Sequence, residues 1–156
     1  MEKTNALRLL DARGIPYRLF TFSPGIHSAT EVAQVLGLPT HQVYKTLVVL
    51  RAQGRPLLVM IAGDRELDLK RVAAAVGDKK VRMATQREAE ALTGLQVGGI
   101  SALALLGRPF DIFLDRAALA LEQIVVSAGK RGMNVQLAVD DLLRITRARI
   151  IEATTS

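Results

Sequence analysis

Two apolar runs flank the pair Gln53-Gly54: Val43-Tyr44-Lys45-Thr46-Leu47-Val48-Val49-Leu50 and Leu57-Leu58-Val59-Met60-Ile61-Ala62. Both are rich in β-branched and large aliphatic residues and too short for ordinary helices, so they predict strands. Gly54 supplies the turn, which makes the pair a β-hairpin. The near-continuous hydrophobicity of the first run predicts a central strand buried on both faces. Lys45 breaks that run near its start. A lysine in a buried strand must pair, snorkel to an edge or bind an anion, and all three remain open at this point.

The elements around the hairpin follow from caps and periodicity. Thr4 is a candidate N-cap for a helix through Ala12 with Ala6, Leu7, Leu9 and Leu10 on its apolar face, stopped by Gly14 and Pro16. Tyr17 to Phe22 alternates as a short strand, and Ser23 to Ser28 has loop composition. Ser28 with Glu31, and Thr85 with Glu88, have capping-box spacing and predict helices ending at Gly37 and Gly94. Asp68 predicts a third cap, for a helix closed by Gly77. Further strands are expected at Lys79–Met83, Phe110–Leu114, Gln123–Ser127, Asn134–Val139 and Arg149–Ile151, with a helix between Asp140 and Ile145. Helices and strands mix without strict βαβ alternation. The expectation is an α+β fold, residues 1–156 forming one domain around a mixed sheet.

Composition narrows the chemistry. With no cysteine among 156 residues, disulfides, thiolate metal sites and a protein thiol nucleophile are all excluded. Two histidines, His27 and His41, make a poor basis for a zinc site, and no metal is expected. No apolar run approaches the ~20 residues that cross a bilayer. The chain opens directly into an amphipathic helix, so a cytoplasmic protein without membrane association is expected. Twenty-one Lys and Arg against fifteen Asp and Glu leave a net charge of +6, which favours a polyanionic partner. Two Tyr and four Phe are too few for a platform that stacks several bases. Phosphate contacts and one terminal nucleotide fit that inventory better than a read sequence.

Two loops are harder to explain as mere connections. In Val97-Gly98-Gly99-Ile100-Ser101, adjacent glycines allow positive φ, close approach of another chain and uncovered N–H groups. A tight turn is the alternative. Ser127-Ala128-Gly129-Lys130-Arg131-Gly132 has similar character. His27, just before a helix cap, is either a loop residue with a local hydrogen bond or a substrate contact at the mouth of a site.

Taken together, Lys45-Thr46 on a strand, Val97–Ser101 and Ser127–Gly132 resemble, in order and separation, the YbaK/EbsC group. These are free-standing trans-editing aminoacyl-tRNA deacylases related to the insertion domain of bacterial prolyl-tRNA synthetases. The resemblance runs from the first helix to the last strand and is nearest to the Cys-tRNA(Pro) deacylases. It implies a mixed, partly barrel-like sheet surrounded by helices. It also implies hydrolysis of a mischarged aminoacyl ester at the 3′-terminal adenosine of tRNA, with no cofactor. The catalytic set would be Lys45 and the loop Gly98, Gly99, Ile100 and Ser101, whose amides hold the substrate carbonyl. Substrate contacts would come from Phe22, His27, Ser28, Thr46, Ser127, Gly129, Lys130, Arg131 and Asn134. The partner would be the acceptor end of a mischarged tRNA, tRNA(Pro) first, with prolyl-tRNA synthetase as a docking partner. In such members the nucleophile comes from the substrate, as its own thiol or a ribose hydroxyl. A non-catalytic binder of tRNA acceptor ends would need the same cradle, and a basic regulatory domain would not.

The sequence departs from the group in places. Ala102 follows Ser101 where proline is common, Ala128 replaces a glycine, Phe22 stands for a frequent tyrosine, and Ser28 for an aromatic residue. Phe22 and Ser28 bear on the amino-acid pocket, Ala102 on the stiffness of the glycine loop.

Overall fold

The computed structural model describes residues 3–155. The hairpin forms as expected: β2 (Tyr44–Arg51) runs antiparallel to β3 (Leu57–Ala62), with Lys45 opposite Ile61. Around it, β4 (Val81–Met83), β5 (Asp111–Asp115) and β8 (Arg149–Ile151) complete a five-stranded sheet in the order β4-β2-β3-β5-β8. Its β3-β5 and β5-β8 pairs are parallel and the others antiparallel, so the sheet is mixed. A second, antiparallel sheet of β1 (Arg18–Thr21), β7 (Met133–Ala138) and β6 (Gln123–Lys130) lies beside it. The two meet at a parallel bridge between Val43 and Val125, which gives the partly closed, barrel-like outline.

The strand buried along its whole length is β3, every residue of which is covered. The expectation placed that burial on β2. β3 lies between β2 and β5 in the sheet, while the start of β2 borders a cavity and is only half-covered at Lys45, Thr46 and Leu47. Alternation divides the side chains of the hairpin. Tyr44, Val48, Leu58 and Met60 join the main core, which extends to α1 (Asn5–Ala12) and α5 (Val139–Thr146). Val49, Leu57, Val59 and Ile61 pack with Val72 and Ala73 of α3 (Leu69–Val76).

Local chemistry fixes the helix ends. The Thr4 hydroxyl accepts from the Leu7 N–H at 3.3 Å, and Asp68 accepts from the N–H groups of Lys70 and Arg71. Thr85 and Glu88 form a complete capping box on α4 (Gln86–Thr93). On α2 (Ala29–Leu36) only half the box forms, because the Ser28 hydroxyl also donates to the Glu31 carboxylate at 2.8 Å. Gly37, Gly77 and Gly94 all take the left-handed C-cap.

One connection differs from expectation. The segment Ser127–Gly132 is largely strand: β6 continues to Lys130 through an irregular register between Ser127 and Lys130, leaving only a tight turn into β7. The apolar stretch after Ser101 forms a 3₁₀ turn, Leu103–Leu105. Among the described residues no helix is long and apolar enough to cross a membrane.

Candidate active site

A cavity of about 270 Å³ opens where the start of β2, the entry to α2, the glycine loop and the β6-β7 pair converge. Lys45 and Thr46 line it from β2, His27 and Ser28 from the head of α2, Gly98 and Ile100 from the loop, and Ser127 and Asn134 from the second sheet. Three segments far apart in the chain therefore meet, as the sequence led one to expect. No aspartate or glutamate lines the space.

Along β2, Lys45 points to the opposite face from Tyr44 and Thr46, and the cavity lies across the beginning of the strand so that both faces contribute. The Lys45 ammonium donates to the Gly63 carbonyl at 3.4 Å. A carbonyl orients the amine and leaves its charge uncompensated. Gly63 must be glycine, since a Cβ there would lie 2.6 Å from the Ala29 Cβ and 3.0 Å from the Val43 oxygen. Its lack of a side chain lets α2 close on the hairpin.

The glycine loop divides its labour unequally. Gly98 has φ +93°, and a Cβ on it would sit 2.4 Å from the His27 Cβ, so His27 packs directly against the loop. Gly99 turns away from the cavity. Its N–H donates to the Gln96 carbonyl at 2.8 Å, and a Cβ would lie 2.8 Å from the Arg131 nitrogen. This corrects the expectation that the Gly99 amide serves the substrate: that donor is already used inside a turn. Among the described residues, the N–H groups of Gly98 and Ile100 meet no protein acceptor. Ser101 lies outside the cavity, almost fully buried, its hydroxyl accepting from the Ala104 N–H at 3.2 Å. Ala102 has φ −61°, the value a proline ring would impose, so the chain keeps that conformation without the ring.

Ser127 and Asn134 face each other across the β6-β7 pair, 8% and 6% exposed. The Ser127 hydroxyl accepts from the Gly129 N–H at 3.2 Å, and the Asn134 side chain lines the cavity beside it. Its amide brings both a donor and an acceptor to the cavity wall.

Four of the expected contacts are not brought to the cavity. Phe22 packs with Val32, Ala33, Val43 and Val125, and its backbone is gripped by Gly132. Arg131 sends its Nε to the Val97 carbonyl at 2.7 Å and braces the glycine loop from behind. Gly129 and Lys130 line a separate groove. Conversely, Tyr44, Thr30, Val97 and Gly63 line the cavity without having been expected. Burial pushes the Tyr44 phenol up to about 12, so it stays neutral at physiological pH. A glycine directly after a fully apolar strand was the available signal for Gly63.

This arrangement can hold a small polar acyl group beside one cation and two free backbone donors. It offers no carboxylate base and no thiol.

Comparison with known proteins agrees with that chemistry. A family model for the aminoacyl-tRNA editing domain matches residues 23–145. The chain is 38% identical over 156 residues to EbsC of Enterococcus faecalis, which carries the name of a Cys-tRNA(Pro)/Cys-tRNA(Cys) deacylase; the match covers 99% of this chain and 94% of that one. It is 35% identical over 131 residues to the proline–tRNA ligase of Nitratidesulfovibrio vulgaris, covering 84% of this chain but 22% of the ligase. Among solved structures, the hypothetical protein APE2540 superposes with a TM-score of 0.89 at 28% identity, over 97% of this chain and 99% of its own. A structure named for a trans-editing enzyme of prolyl-tRNA synthetase superposes with a TM-score of 0.85 at 25% identity, over the full length of both. By the family model over residues 23–145 and the near full-length match to EbsC, the chain belongs to the aminoacyl-tRNA editing domain family.

Proposed function

We propose that this protein is a trans-editing deacylase acting on the 3′-terminal adenosine of mischarged tRNA, with Cys-tRNA(Pro) as its foremost substrate. The observation that carries the reading is the convergence of Lys45 with the free N–H groups of Gly98 and Ile100 on one cavity. An aminoacyl ester is already activated. Its hydrolysis needs chiefly a place for the negative charge that develops on the carbonyl oxygen. The Gly98 and Ile100 amides are that place, and the Lys45 ammonium holds the charged ribose-phosphate end or adds to the oxyanion field. The Asn134 amide and Ser127 hydroxyl take the polar groups of the aminoacyl moiety.

Without a protein nucleophile or carboxylate base at hand, the attack comes from the substrate. For a cysteinyl ester, the thiol sulfur bonds to its own carbonyl carbon as the bond to the ribose 3′ oxygen breaks. The thiol proton passes to that oxygen, and water then opens the thiolactone. Support for cysteine as the amino acid comes from the name of the E. faecalis relative, and support for tRNA(Pro) from the proline–tRNA ligases that share the domain.

The test is turnover of Cys-tRNA(Pro), Ala-tRNA(Pro) and Pro-tRNA(Pro) by wild type and Lys45→Ala. We expect the first substrate to be cleaved fastest and the correctly charged one spared. Lys45→Ala should lose about 100-fold or more in kcat while keeping its thermal transition. Salt-sensitive tRNA binding without turnover would instead identify a non-catalytic binder of acceptor ends.

A further inference from the structure

A second, open groove of about 450 Å³ is bounded by the start of α1, the Leu103–Leu105 turn, Arg108 and the end of β6. Lys3, Arg8, Arg108 and Lys130 all line it, together with Thr4 and Gly129, and no aspartate or glutamate does. Four cations in one cleft repel one another, and the fold does little to relieve them. Lys3 pairs with Asp11 on α1. Arg8 donates to the Asn5 side-chain oxygen at 3.3 Å, and Arg108 to the Leu92 carbonyl at 2.8 Å. Those two bonds aim the guanidinium groups without neutralising them. Lys130 is exposed and pairs with no carboxylate among the described residues. A cleft lined by one sign of charge focuses its field and gathers counter-charge.

The groove is joined to the active cavity through one strand. Ser127 lines the cavity and Gly129 the groove, two residues further along β6, or roughly 7 Å. At ~3.4 Å of rise per nucleotide along one strand, that is about two nucleotides, so the groove lies where the residues just before a terminal nucleotide held in the cavity would run. No aromatic residue lines the groove, so bases are not stacked there; the available contacts are to phosphates.

Resting on the deacylase reading, we infer that this groove binds the phosphodiester backbone of the acceptor strand immediately 5′ to the terminal adenosine. It holds the strand whatever its bases and presents the acyl end to the cavity. Arg8 and Lys130 supply the freest charges, and Arg108 a fixed one.

The experiment uses Arg8→Gln, Lys130→Gln and the double variant, both sites being exposed. An uncharged acceptor-stem minihelix with a single-stranded 3′ end is titrated between about 50 mM and 200 mM salt. We expect the log–log salt slope to fall by ~0.7 for each cation removed. In parallel, kcat/KM on aminoacyl-tRNA should fall relative to kcat/KM on a 3′-O-aminoacyl-adenosine, which has no upstream phosphates, with the loss in KM. An unchanged salt slope, or equal losses on the two esters, would overturn the assignment. So would saturable binding of inorganic phosphate by the wild type alongside unchanged minihelix affinity in the variants, which would mark a free-anion site. If neither ester were turned over while the slope still fell, the groove would stand as an RNA-strand site and the deacylase reading would be lost.

Discussion

The Arg131 guanidinium donates its Nε–H to the Val97 carbonyl at 2.7 Å, tying the turn after β6 to the first residue of the glycine loop. With the Val97 N–H donated to the Glu90 carboxylate at 2.9 Å and Gly99 lying against the Arg131 backbone, that bond holds the loop that carries the Gly98 and Ile100 amides.

Arg131→Ala should therefore act through the loop. A hydrogen bond from a charged group contributes ~1.5–3 kcal/mol, and the expected loss is about 10- to 100-fold in kcat. The same bond counts toward folding, so the melting temperature should also fall by a few degrees. Amide hydrogen exchange at Gly98 and Ile100 should quicken in the variant, a readout that a general loss of stability would spread over the whole chain.

Gly99→Ala puts a Cβ 2.8 Å from the Arg131 nitrogen and 3.0 Å from the Lys130 carbonyl carbon, both backbone atoms that cannot step aside alone. We expect a cost of ~1–3 kcal/mol in urea unfolding, with activity falling as the two loops separate. Gly107→Ala is the control: its Cβ would meet nothing within 4 Å, so only the strain of φ +84° applies.

Glu88 gives a pH signature remote from the cavity. The Arg82 guanidinium, followed by the Thr85 N–H, holds its carboxyl down to about 2 from the ordinary 4.5. A depressed folded-state value means that the stabilisation is present above pH 4.5 and is lost as pH falls toward 2. Thermal unfolding should thus lose stability across that window in wild type and less steeply in Glu88→Gln. Identical acid profiles would show that the capping box and its arginine carry no net stability.

Much of this was legible because it is local. Caps at Thr4, Ser28, Asp68 and Thr85 announce themselves by residue type and spacing, as does the hairpin about Gly54. What could not be read was set by neighbours distant in sequence. β6 runs on through Ala128 and Gly129 because β7 returns to pair with it, although its composition suggests a loop. Gly98 and Gly99 look equivalent as a pair, yet one borders the cavity and the other abuts Arg131. Phe22 and Arg131 resemble substrate contacts by their position in the chain; packing turns the first into core and the second into a brace. The place of Asn134 in the cavity wall depends on which face of β7 meets the cavity, fixed by its pairing with both Phe20 and Ser127.

The Val43–Val125 bridge has a consequence for how such a pocket can diversify. One wall, with Lys45 and Thr46, grows from the five-stranded sheet; the other, with Ser127 and Asn134, from the three-stranded one. Behind that seam both sheets fill one core, Tyr44 and Val48 from the first with Val126 and Val135 from the second, so a change in one wall is felt by the other. On the proposed reading, evolving the Ser127–Asn134 wall toward another amino acid would call for matching adjustments behind the lysine wall, which ties any change of specificity to the packing of the whole fold.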